Sequence, residues 1–143
     1  MMDIRYVNNA LTGELFAHFR SQIGWGITTP QQAQKAVSNT YFSVVAFDGD
    51  NAVGIGRLIG DGAVIWYVQD MIVLPQYQGR GIGSTILNKL IDFATVNNIP
   101  DSNFRIALMS AKGKEEFYQK FGFHIRPYGD FSGAGMDMYV QKT

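Results

Sequence analysis

The sequence predicts an α/β fold of the α+β kind: a mixed, mostly antiparallel central sheet with helices on both faces. Three observations carry this. Runs rich in β-branched and aromatic residues alternate with amphipathic helical stretches, in the order strand, two helices, three antiparallel strands, helix, strand, helix, two strands. Turn-forming clusters at 48–51 and 60–62 separate the three middle strands. The helix that begins after the glycines at 79, 81 and 83 is flanked by two strands, which makes them parallel neighbours with a right-handed crossover.

Each element has a local cause. Residues 3–7 form a short first strand. Thr12 caps a helix whose apolar positions, Leu15, Phe16, Phe19 and Ile23, fall at helical spacing. Gly24 and Gly26 end it around Trp25. Thr29-Pro30 opens a second helix by the cap-then-proline rule, with Ala33, Ala36 and Val37 as its buried face. Residues 41–47 and 52–59 pair as a hairpin. Residues 63–74 make a long third strand. Ile86, Leu87, Leu90, Ile91 and Ala94 line an amphipathic helix that ends near Asn97 and Asn98. Residues 104–109 read as a strand and 115–121 as a short helix stopped by Gly122. Residues 123–126 and 136–141 read as a closing strand pair.

The chain has 143 residues, which suits a single domain spanning 1–143, and 46% of them are hydrophobic, enough for a core. Charged residues make up only 17%, against about a quarter in ordinary domains, and the formal net charge is zero. With no basic block, nucleic acid is a poor partner. No apolar run approaches a membrane span, and the N-terminus lacks a secretory pattern, so a cytoplasmic protein is expected. The low charge content and the apolar C-terminal strand admit a homodimer. There is no cysteine, which excludes thiolate chemistry, and His18 and His124 lack metal-ligand spacing, so no metal is expected.

The most informative stretch is V-L-P-Q-Y-Q-G-R-G-I-G-S, residues 73–84. An apolar strand stops at Pro75, three glycines alternate at Gly79, Gly81 and Gly83, and a helix begins. Such a turn has little side-chain bulk, so its backbone N–H groups converge on one external group. The helix N-terminus adds its positive dipole end. That combination suits a pyrophosphate. The P-loop string G-x-x-x-x-G-K-[S/T] is absent, and a G-x-G-x-x-G fingerprint fails because Ser84 or Ile86 stands where its last glycine belongs.

What does match is Q-x-x-G-x-G at 78–83, preceded by V-x-P. This resembles the acetyl-CoA loop of the GCN5-related N-acetyltransferases (the GNAT family), and the element order is similar to that fold over nearly the whole chain. The resemblance implies an acyl-CoA N-acyltransferase fold with acetyl-CoA as co-substrate. Backbone N–H groups of Gln78, Gly79, Arg80, Gly81, Ile82, Gly83 and Ser84 would hold the pyrophosphate, with the Arg80 side chain pointing to solvent. The backbone of Met71, Ile72 and Val73 would pair with the pantetheine arm where the strand splays from its parallel neighbour.

The string F-Y-x-K-F-G-F at 117–123 looks like the family's last signature, whose tyrosine lies beside the coenzyme sulfur. The resemblance makes Tyr118 the general acid that helps the thiolate leave. The bland reading is a half-buried helix aromatic. The chain departs from the family at Ala111 and Lys114, where asparagine and alanine are common. Lys112 and Lys114 could meet nucleotide phosphates or simply be solvated.

Asp70 interrupts an apolar strand, and a buried carboxylate is costly unless it is bonded. It is either a substrate-facing base that takes the amine proton, directly or through water, or a structural group bonded to nearby backbone or to Arg57. Gln69 should face the opposite side of a regular strand. Trp25, in the loop between the first two helices, could wall an apolar or cationic acceptor. These readings converge on N-acetyl transfer to a primary amine of a small molecule in a ternary complex. Protein acetylation, at an N-terminus or a lysine, and acyl-CoA sensing without turnover are the alternatives.

Overall fold

A computed structural model describes residues 3–143. The chain divides into two compact units, Met1–Ala107 and Leu108–Thr143. The first holds β1 (Ile4–Asn8), α1 (Gly13–Gln22), α2 (Pro30–Ser38), β2 (Phe42–Asp48), β3 (Asn51–Gly60), β4 (Ile65–Val73), a 3-10 turn at Pro75–Tyr77, α3 (Ile82–Asn97) and β5 (Arg105–Ala107). The second holds α4 (Glu115–Gln119). Among the described residues, no helix is long and apolar enough to cross a membrane.

The sheet runs β1-β2-β3-β4-β5 in space. Its first three pairings are antiparallel, and β4 pairs with β5 in parallel across α3. This is the expected mixed sheet. Helices α1 and α2 cover one face, where Phe16, Phe19 and Ala33 pack with Val45, Ile55 and Ile72. Helix α3 covers the other, with Ile82, Ile86, Leu87, Leu90 and Ala94 buried. A Cβ on Gly56 would fall 2.6 Å from Ile86 and 2.7 Å from the Met71 sulfur, so a side chain there would push both neighbours away. On the same face Phe42 stacks on Phe93 with centroids 4.0 Å apart, and the fully buried Trp66 meets Phe93 edge-on.

Local chemistry sets the element ends. Thr12 accepts from the Leu15 N–H at 3.2 Å and starts α1. Thr29 and Gln32 form a reciprocal capping box ahead of α2, with Pro30 at its first position. Strand β4 begins at Ile65 rather than at residue 63. The reason is that the Asp61 carboxylate accepts from the N–H groups of Ala63, Val64 and Ile65 at 2.8, 2.8 and 3.0 Å, which keeps Ala63 and Val64 in the turn. These bonds, that from Ile65 foremost, hold the Asp61 carboxyl below the usual aspartate range.

Two expectations fail. Strand β5 covers Arg105–Ala107 only, because its ladder on β4 runs from Ile65 to Tyr67 and no further. Residues 123–126 and 136–141 form no strands at all. Their composition is strand-compatible, but Met136, Met138, Tyr139 and Val140 are exposed, so no buried face sets a register for them.

Candidate active site

The site is built around one irregularity in β4. The register pairs Arg57 with Gln69 and Ile55 with Ile72, so Gly56 alone faces two residues, Asp70 and Met71. This is a β-bulge. Asp70 takes the left-handed conformation, φ +52°, which aspartate tolerates better than most residues. The extra residue resets the alternation. Upstream, Val68 lies opposite Leu58 and Phe42 on the α3 face. In an unbroken strand Asp70 would follow it onto that apolar face. Instead Asp70 turns to the α1/α2 face, where it meets Arg57 and shares a side with Gln69. The expectation that Gln69 and Asp70 face opposite ways is therefore wrong, and the bulge is the cause.

Beyond Tyr67 no strand among the described residues pairs with the β5 side of β4. The Leu74 N–H donates to the Val53 carbonyl at 2.9 Å, so by alternation Ile72 also turns its backbone groups toward β3. Met71 and Val73 present theirs to the unpaired side. Ile72, expected beside them as a backbone contact, is spent on β3, and its side chain is core.

The glycine turn follows directly. Gly79 and Gly81 have φ of +77° and +83°, and a Cβ on either would meet nothing within 4 Å. Backbone conformation, not crowding, requires glycine at both, and open space lies above them. Gly81 precedes α3 with no side-chain cap. The first intrahelical bond runs from the Thr85 N–H to the Gly81 carbonyl at 3.0 Å, which leaves the N–H groups of Ile82, Gly83 and Ser84 without intrahelical acceptors. Gln78 does a different job from the one expected. Its side-chain amide donates to the Val73 carbonyl at 2.9 Å, and its backbone N–H donates to Pro75 at 3.3 Å. It ties the turn to the end of β4. Arg80 is exposed, but its guanidinium lies over the Tyr77 ring, 5.5 Å from the centroid, rather than pointing freely to solvent. The Tyr77 hydroxyl donates to Asp48 at 2.6 Å, and that bond raises its pKa.

On the α1/α2 face, Asp70 is bonded at both oxygens. Arg20 Nη1 donates to Oδ1 at 2.5 Å and Arg57 Nε to Oδ2 at 2.8 Å. Arg57 is the partner that the structural reading of Asp70 names, and Arg20 adds a second arginine. Arg57 also donates to Thr40 Oγ1 at 3.1 Å and to the Ala36 carbonyl at 3.4 Å. Arg20 donates from Nε to Thr28 at 3.1 Å. Trp25, expected to wall an apolar or cationic acceptor, already has a cation: its ring lies 5.5 Å from the Arg20 guanidinium carbon, and so does that of Phe16.

An open strand edge leading into a donor-rich turn is a distinctive pair, and its family can be named. The profile described as an acetyltransferase (GNAT) domain matches residues 8–138. The chain belongs to the GNAT acetyltransferase family. A probable acetyltransferase from methicillin-resistant Staphylococcus aureus has a similar structure, with TM-score 0.82 and 26% identity over 98% of this chain and 100% of that one. A GNAT family protein from Streptococcus pneumoniae follows with TM-score 0.74 and 27% identity, covering 99% and 100%. A ycf52-like N-acetyltransferase of Prochlorococcus marinus is 25% identical over 113 residues, 76% of this chain; the chain spans 60% of that relative's length.

In the second unit of this GNAT chain, Tyr118 sits on α4. Its ring meets Phe117 at 5.1 Å and Phe123 at 6.0 Å, both edge-on, and its carbonyl accepts from the Phe123 N–H at 3.3 Å. Burial pushes its hydroxyl above the ordinary tyrosine pKa, so it stays protonated into alkaline solution. Sequence reasoning missed Arg20. The available signal was its place one helical turn after Phe16 on the same flank of α1. It also missed Asn98, which accepts from the buried Trp66 indole N–H at 2.8 Å and donates to Ala63 and Ser102.

Proposed function

We propose that this chain transfers the acetyl group of acetyl-CoA to a primary amine of a small molecule, by direct attack in a ternary complex. The observation that carries the reading is the continuity of two backbone features: the unpaired groups of Met71 and Val73, and the N–H groups at the start of α3 behind Gly79 and Gly81. The first suits the amides of a pantetheine arm, which would add to β4 as a strand would. The second suits a diphosphate. The N–H of Val73, rather than that of Ile72, is the strand-end donor for the thioester carbonyl.

Each remaining residue has a role under this reading. Gln78 and Ile82 hold the turn in place, one as a latch and one from the core. Ser84 and Gly83 offer their backbone N–H groups, and Arg80 braces against Tyr77. With both oxygens of Asp70 engaged by arginines, the amine proton passes to water, and Asp70 positions Arg20 and Arg57. Tyr118 supplies a proton to the departing sulfur. Its motif and its raised pKa support that role.

Calorimetry with acetyl-CoA, followed by acetyl-CoA consumption over an amine panel, tests the reading. Binding together with turnover of a small amine is expected. Absence of binding would overturn the proposal. Binding without turnover of any amine would leave a sensor, and turnover confined to peptides would leave a protein acetyltransferase. Tyr118→Phe should lower kcat by about a hundredfold with acetyl-CoA affinity kept; a wild-type rate would remove Tyr118 from the acid role.

A further inference from the structure

We infer that the acceptor carries an anionic group, a carboxylate or a phosphate, close to its reactive amine, and that Arg20 binds it. The inference rests on the reading of β4 as the coenzyme edge. Asp70 directly precedes Met71, the first residue whose backbone faces that edge, and the bulge turns Asp70 to the α1/α2 face. An amine that approaches the thioester from this face meets the Asp70 cluster first.

Two guanidiniums surround one carboxylate, so the cluster carries net positive charge. Its charges are not equally accessible. The Asp70 side chain is 0% exposed and that of Arg57 9%, but that of Arg20 is 23%. Arg57 spends Nε on Asp70 and Nη1 on Ala36 and Thr40. Arg20 uses Nε on Thr28 and Nη1 on Asp70, and its Nη2 has no partner among the described residues. The group that solvent can reach is therefore a cation with an unspent donor.

Arg20 is also held in place beforehand. Phe16 and Trp25 each put a ring 5.5 Å from its guanidinium carbon, and Thr28 and Asp70 fix its plane. Much of the entropy cost of ordering a long side chain is thus met before a ligand arrives. A fixed guanidinium fork matches a carboxylate or a phosphate, and it repels a polyamine. The exposed Trp25 ring beside it admits an apolar substituent on the same acceptor.

The test compares matched pairs on the wild-type protein: glycine, leucine, phenylalanine and lysine against their carboxamides, and O-phosphoethanolamine against ethanolamine. Each is titrated calorimetrically with and without saturating CoA, after CoA binding itself has been measured. Loss of CoA binding sinks the functional reading; the matched pairs judge this inference alone. At least one anionic member should bind about tenfold or more tightly than its neutral partner. Whether the amino acids or the phosphate carry the difference identifies the anion. Arg20→Lys, which keeps the charge and removes the fork, should erase most of the difference and leave CoA affinity unchanged. Equal affinity within every pair, preference for the neutral member, binding of neither, or a difference that survives in Arg20→Lys would overturn the inference.

Discussion

The glycine turn and the arginine–aspartate cluster lie at opposite ends of the same short stretch of β4, and they are made in opposite ways. The turn works through backbone. Its residues are consecutive, its conformation is set by glycines at positive φ, and its side chains are nearly irrelevant to its chemistry. The cluster works through side chains from three separate segments: α1, β3 and the bulge of β4. A backbone site of this kind can be read in a short string. A side-chain site assembled across the fold is read only in part: Arg57 is a named partner for Asp70, but no local spacing brings Arg20 to them.

The contrast can be broken or sharpened by experiment. The largest effect is expected from the cluster. Asp70→Ala leaves the buried Arg57 without its counter-ion and should lower unfolding stability by about 3–5 kcal/mol in urea titration. In Asp70→Asn the pH dependence of kcat/KM should keep its shape; loss of its acid limb would make Asp70 a base after all. The turn should behave conversely. Gly81→Val forces a β-branched residue into the left-handed region and misaligns the helix-start donors. Acetyl-CoA affinity should fall roughly a hundredfold, the equivalent of about two hydrogen bonds to a charged group. Circular dichroism should still show a folded protein.

Smaller effects mark places outside both sites. Asn98→Ala leaves the buried Trp66 N–H unpaired and should cost about 1–3 kcal/mol, with acetyl-CoA affinity unchanged. Asp61→Asn probes the turn before β4. The depressed pKa of Asp61 contributes stability that is present above the ordinary aspartate range and is lost as pH falls through the folded value. The melting temperature of Asp61→Asn should therefore lie below that of the wild type at neutral pH, and the gap should close in strong acid.

The same division separates what was legible in the sequence from what was not. The Thr29-Pro30 entry to α2 and the hairpin turn after Asp48 depend on neighbours in the chain, and they appear where the pattern puts them; α3 begins at Ile82, ahead of the last of the three glycines. The closing strands do not. Alternation at 136–141 shows that a strand could be accommodated there, but a strand needs a partner, and pattern alone does not supply one. The orientation of Asp70 failed for a related reason: a bulge is invisible to a period-two reading until the partner strand's register is known. Arg20 looked like an ordinary helix-end cation, and Asn98 like a helix terminator. Their partners lie 50 and 32 residues away.

The single unpaired residue in β4 works as a phase shifter. It lets one strand serve an oily layer before Gln69 and an ionic one at Asp70, with no change of direction. It follows that residue identity and chain length act differently here. Substituting side chains on α1 or the following loop can retune what the ionic layer accepts and leave the coenzyme edge alone. Deleting Met71 would leave Asp70 alone opposite Gly56, drive its carboxylate against Ile86 and Leu90, and take one residue from the open edge in the same step.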